Sequence, residues 1–111
     1  MKTLRINFPI SGTRITIPFK AVCSVTNTEF EGNIVIEYHL DTKVLEFVNA
    51  EKTITKLSRK KQTVEEFAHE VFRRVKASIS PKYLKVLVDV TKSKSHRPVE
   101  VWIEDDKTHS N

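Results

Sequence analysis

Two glycines and a single cysteine, Cys23, are all that 111 residues contain of either type, and each scarcity excludes a class of function. There is no glycine-rich loop of the kind that cradles phosphates, and no Ser/His/Asp grouping or metal-ligand spacing. One cysteine makes neither an internal disulfide nor a cysteine-rich zinc site. No stretch approaches the roughly 20 apolar residues that span a bilayer, and the opening "MKTLRINFPI" alternates where a secretory signal would run apolar. Internal repeats are absent too. What remains is one domain over residues 1–111, expected in the cytoplasm, off the membrane, and without metal or bound cofactor.

Apolar residues at 39% and charged residues at 30% suit a folded globular chain rather than a disordered one. Nineteen Lys and Arg against fourteen Asp and Glu give a net charge of +5, which hints at a polyanionic partner. The positive charge is clustered: Lys52, Lys56, Arg59, Lys60 and Lys61, then Arg73, Arg74 and Lys76, then Lys92, Lys94, His96 and Arg97. Solvated helix faces and a charged loop would give the same pattern.

"TLRINFP" and "TRITIPFKAV" alternate apolar with polar residues, as half-buried strands do. "GNIVIEYHL" repeats the pattern with Ile34, Ile36 and Tyr38 on one face, and "DTK" turns into a short "VLEFV", an antiparallel meander. Asn49 caps a first helix over "AEKTITKLSRKK", with Ala50, Ile54 and Leu57 at helical spacing. Thr63 with Glu66 forms a capping box that opens a second helix. Its stripe is Val64, Phe67, Ala68, Val71, Phe72, Val75 and Ile79, and Pro81 ends it. "YLKVLVDVT" and "PVEVWIE" are again strands, joined by "KSKSHR"; the tail after Glu104 is expected to fray. The order ββααββ is an α+β layer of helices on an antiparallel sheet. Its two free edges predict a homo-oligomer built by extending the sheet.

Cys23 follows strand residues and precedes "SVTNTEF", a segment with turn chemistry. It is read either as a small buried hydrophobe or as a nucleophile, for which Glu29 and Glu31 across the bend supply candidate acids. Glu65 sits where the helix dipole favours a carboxylate. His69 is expected on the helix surface, Glu66 and Glu70 in solvent, and Trp102 and Tyr83 in the core.

"CSVTNTEFEGNIVIEY" resembles the active-site segment of the QueF family, the 7-cyano-7-deazaguanine nitrile reductases and their small relatives, which run Cys-Pro-x-Thr-Gly-x-Pro-Asp-Phe before an alternating strand. Counting on from Cys23 brings the family's conserved glutamate after the second strand to Glu46 in "VLEFV". Its substrate-binding glutamate falls on Glu65 in "TVEEF", and "PKYLKVLV" matches the stretch after the helix. About residues 19 to 90 are covered. The departures are informative. The family's aspartate seven residues after the cysteine is Phe30, so Glu29 takes the acid's role if the loop is one residue shorter. The histidine before the substrate glutamate is Val64, and the NADPH-binding run becomes "EFVNAE", with Val48 and Glu51 in place of lysines.

Loss of those lysines removes the cationic partners of the cofactor's phosphates. The chain looks like the short amidinotransferases of the family, which use ammonia to convert the nitrile of 7-cyano-7-deazaguanine in tRNA to the formamidine of archaeosine. The resemblance implies Cys23 as nucleophile, Glu29 as acid and Glu65 with Glu46 as substrate ligands. It also implies tRNA and the 7-cyano-7-deazaguanine base as partners, and the tunnelling fold, whose ββααββ subunits close into oligomeric barrels. Two alternatives stand beside it: an NADPH-dependent reductase of queuosine biosynthesis, and a non-catalytic RNA-binding module of the same fold.

Overall fold

A computed structural model describes residues 1–107. Eight elements follow one another: β1 (Thr3–Arg5), β2 (Thr13–Val22), β3 (Glu29–His39), β4 (Lys43–Leu45), α1 (Phe47–Ser58), α2 (Val64–Ile79), β5 (Tyr83–Ser93) and β6 (Val99–Asp106). The expected α+β order is present in β2-β3-α1-α2-β5-β6. The four long strands pair antiparallel in the order β2-β3-β5-β6, which leaves β2 and β6 as edges. Alternation sends Ile17, Phe19 and Ala21, Ile34, Ile36 and Tyr38, and Leu84, Val86, Val88 and Val90 to one face, all buried. Both helices lie on that face, α1 against β2 and α2 against β5 and β6.

The apolar stripe of α2 is buried as its spacing requires, except Phe72, which is half-buried. Its capping box closes reciprocally: the Glu66 N–H donates to Thr63 Oγ1 at 3.1 Å and the Thr63 N–H to Glu66 Oε1 at 3.0 Å. The Thr63 N–H, and after it the Thr63 hydroxyl, hold the Glu66 carboxyl below its ordinary range. Ser80, squeezed out of the right-handed region by Pro81, ends the helix at φ 44°.

Several expectations need correction. α1 begins at Phe47 rather than after Asn49, because Glu46 is the cap: its carboxylate accepts the Asn49 N–H at 2.6 Å. That places Phe47 and Val48, read as strand residues, in the first helical turn, both exposed. β4 does not continue the meander. It leaves the main sheet, pairs with β1 in a separate ribbon, and is held by the Leu45 N–H donating to the buried Tyr38 hydroxyl at 3.0 Å.

Trp102 is not in the core. It is 55% exposed, because its partner across the ladder is Leu87, on the face opposite the helices. Lys85 Nζ lies 5.7 Å from the centre of the Trp102 ring. On that same face the Tyr83 hydroxyl donates to Glu104 Oε2 at 2.5 Å. Burial, then that hydrogen bond, push the Tyr83 phenol up to about 12. β6 runs to Asp106, past the point where fraying was expected; residues 108–111 lie outside the described residues.

Candidate active site

Cys23 opens the turn between β2 and β3. Its N–H donates to Thr28 O and its carbonyl accepts the Asn27 N–H, both at 2.9 Å, closing a four-residue loop over 24–27. Asn27 takes φ 57°, a left-handed conformation that Asn tolerates better than most residues. Glycine fills the equivalent position of the resembled motif.

The loop wraps its own sulfur. The Thr26 N–H, then the Thr26 hydroxyl, then the Val25 N–H stabilise the thiolate, and they hold the Cys23 thiol below its ordinary value against some desolvation and the charge of Glu65. Successive N–H groups aimed at one atom form an anion-binding concavity. The sulfur-bearing residue is half-exposed and packs one side against the core. A lowered thiol that solvent can reach meets one condition for nucleophilic chemistry.

Two distant segments fix this loop. The Gln62 N–H donates to Val22 O at 3.1 Å, binding the α1–α2 connection to the end of β2. The buried Gln62 side chain closes that connection by donating to Leu57 O at 2.8 Å and Lys60 O at 3.0 Å. Lys61 Nζ donates to Asn27 Oδ1 at 2.6 Å. From the other side, Thr26 and Thr28 share a hydroxyl hydrogen bond at 2.7 Å, and Thr28 shares another with Ser95 in the β5–β6 connection. None of these ties has a marker in the sequence beyond a run of small hydroxylated residues.

Of the residues singled out from sequence, Cys23 and Glu65 come together. Glu65, exposed in the first turn of α2, is the carboxylate whose charge bears on the thiol. Glu29 starts β3 opposite Val22; its carboxylate is exposed and lies 3.8 Å from Lys94 Nζ. Phe30, at the position of the family's aspartate, is 2% exposed and packs edge-on to Phe19 with ring centres 5.8 Å apart. Phe30 therefore supplies no acid, and of the two candidate carboxylates Glu29 faces Lys94 and Glu31 faces Lys20 at 4.0 Å. Glu46 is not near Cys23 within one chain: it caps the far end of α1, whose 12 residues span roughly 18 Å. His69 is on the surface as expected. Glu70 is not free in solvent, since it binds Arg73 at 2.9 Å and Arg74 at 3.0 Å, and both hold its carboxyl low. Among the described residues no helix is long and apolar enough to cross a membrane, and no cluster of three His, Cys, Asp or Glu is placed to hold a metal ion.

No protein-family model matches the chain, and no curated protein does. Among solved structures it is similar to the crystal structure of the archaeosine synthase QueF-Like in the apo form, with a TM-score of 0.78 and 26% sequence identity, over 90% of this chain and 97% of that one. That likeness agrees with the α+β arrangement and with the family resemblance carried by the segment around Cys23.

Proposed function

We propose that the protein is a tRNA-modifying amidinotransferase that converts the nitrile of 7-cyano-7-deazaguanine, already part of tRNA, to a formamidine. The observation that carries this reading is the lowered, solvent-accessible thiol of Cys23 beside Glu65, on a chain similar to an archaeosine synthase. The Cys23 thiolate attacks the nitrile carbon, forming a C–S bond, while the nitrile nitrogen takes a proton from Glu29, giving a thioimide. Ammonia adds to the same carbon, the C–S bond breaks to return the thiolate, and the proton shed by the ammonia nitrogen goes back to the Glu29 carboxylate, leaving the amidine; nothing is oxidised or reduced. Glu65 accepts hydrogen bonds from the amino and ring N–H groups of the base.

Glu46 reaches such a site only from a neighbouring copy, and pairing the free edges of β2 and β6 between copies would supply one, closing subunits into a barrel. A reductase is the weaker reading, because Phe47, Val48 and Glu51 offer no cation to cofactor phosphates. A cytoplasmic location suits a tRNA substrate.

The test is intact mass after incubation with 7-cyano-7-deazaguanine. An adduct of the full mass of the base, absent from Cys23→Ala, is expected. Folded protein that forms none, with nitrile-bearing tRNA also tried, would sink the reading.

A further inference from the structure

At the Cys23 end of the sheet, the helix-free face carries a groove whose floor is set by a β-bulge. The ladder between β3 and β5 runs Gly32 to Val90 and then Glu31 to Lys92, so Thr91 is an extra residue on β5. Gly32 makes the irregularity possible: a Cβ there would sit 1.9 Å from Asp89 O. The extra residue reverses the phase of β5. Val86, Val88 and Val90 face the helices, and without the bulge Lys92 and Lys94 would follow them inward. With it, Lys92 stands beside Glu31 on the open face, in one row with Lys20 of β2.

Two cavities of about 470 and 600 Å³ open at this end and share Lys20, Glu31, Thr91 and Lys92 in their walls; the second also takes in Thr55, Ser58 and Arg59 of α1 and its end, so the trough extends from the helix-free face to the α1 side of the sheet. It runs from Arg59 at the end of α1 to Lys94 and His96 in the β5–β6 connection. Lys20 and Lys92 are two strand spacings apart, roughly 10 Å. The carboxylates between them compensate poorly: Lys20 meets Glu31 only at 4.0 Å and Lys94 meets Glu29 at 3.8 Å, all well exposed. Such pairs are weak and readily exchanged for a better anion.

We infer that this trough binds the sugar–phosphate backbone of single-stranded RNA, with Lys20 and Lys92 on phosphates flanking the nucleotide presented to Cys23. The inference rests on the reading of Cys23 as acting on a base held in RNA. It gives the lysines a task that a free base does not supply, since a free base carries no phosphate. Ser95, bonded to Thr28, fixes the trough's far wall to the cysteine loop.

The experiment is binding of an unmodified tRNA transcript, followed by fluorescence anisotropy over a series of salt concentrations. Lys20→Ala with Lys92→Ala is compared with wild type and with Lys52→Ala/Lys56→Ala, which removes the same charge from α1. The trough variant should bind at least tenfold more weakly, and its log–log salt slope should fall by about 1.4, at about 0.7 per single-stranded phosphate contact. The α1 variant should keep both. Unchanged affinity and slope in the trough variant, or an equal loss in the α1 variant, overturns the inference. The mass adduct with free 7-cyano-7-deazaguanine is read in parallel and should form in both variants as in wild type. Its absence from every protein would defeat the catalytic reading while leaving the salt comparison to decide the trough.

Discussion

The two faces of the four-stranded sheet are built from the same alternating strands and have opposite characters. The face under α1 and α2 is apolar from edge to edge, with Phe67 wedged at 5.0 Å from Phe19. The other carries Arg14 bonded to Glu37, Lys85 over Trp102 and Tyr83 bonded to Glu104. One face holds the fold, and the other is free to be charged, aromatic and interrupted by a bulge. Cys23 lies at one end of the sheet, in the turn that joins β2 to β3.

The sharpest test of that contrast is Phe67→Ala. Phe67 is fully buried, so losing its ring should cost about 3–5 kcal/mol, measured as a lower midpoint in urea with an unchanged slope. A cost under about 1 kcal/mol would mean that the helices do not seal the inner face.

Thr26→Val probes the turn between the sheet's first two strands, β2 and β3, and should leave stability nearly untouched. It removes the hydroxyl that supports the thiolate but keeps both N–H groups, so the thiol should move up toward its ordinary value without reaching it. Because a lowered thiol ionises at lower pH, alkylation of Cys23 by iodoacetamide should set in at lower pH in wild type than in the variant. Coincident pH profiles would show that the hydroxyl plays no part.

The smallest effect is expected from Trp102→Ala. On an open face its loss should change stability by no more than about 0.5 kcal/mol. A loss of 2 kcal/mol or more in dilute protein would show that something covers that face and that the two faces are not so different.

The helices illustrate what a sequence makes legible. The capping box of α2 and its stripe were readable in full, because a cap is a contact over three residues and a stripe repeats every turn. The start of α1 was not, since Asn49 is a favoured cap type and Glu46 sits in a stretch that reads as strand, so the true start depended on where β4 ended. That end was fixed by pairing with β1, some forty residues earlier in the chain. Trp102 was misread for a related reason: alternation says that Trp102 and Val101 oppose one another, but only the ladder to β5 says which of them meets the helices.

The site divides in the same way. Cys23, its turn and the exposed acid at the start of β3 were visible in one short stretch, and the resemblance placed Glu65 forty-two residues on. That the thiol is lowered depends on the Thr26 and Val25 donors folding back onto it, a geometry fixed by Lys61, Gln62 and Ser95 from two other parts of the chain.

By itself, then, the sequence determined the local elements and the chemistry available to them, because periodicity, capping and turn preference act over a few residues. Tertiary structure decided the partner of β4, the face of Trp102, the outward turn of Lys92 and Lys94, and the meeting of Cys23 with Glu65. Each is settled by strand register or by contact between distant segments, where packing of the whole core outweighs the preference of any one residue.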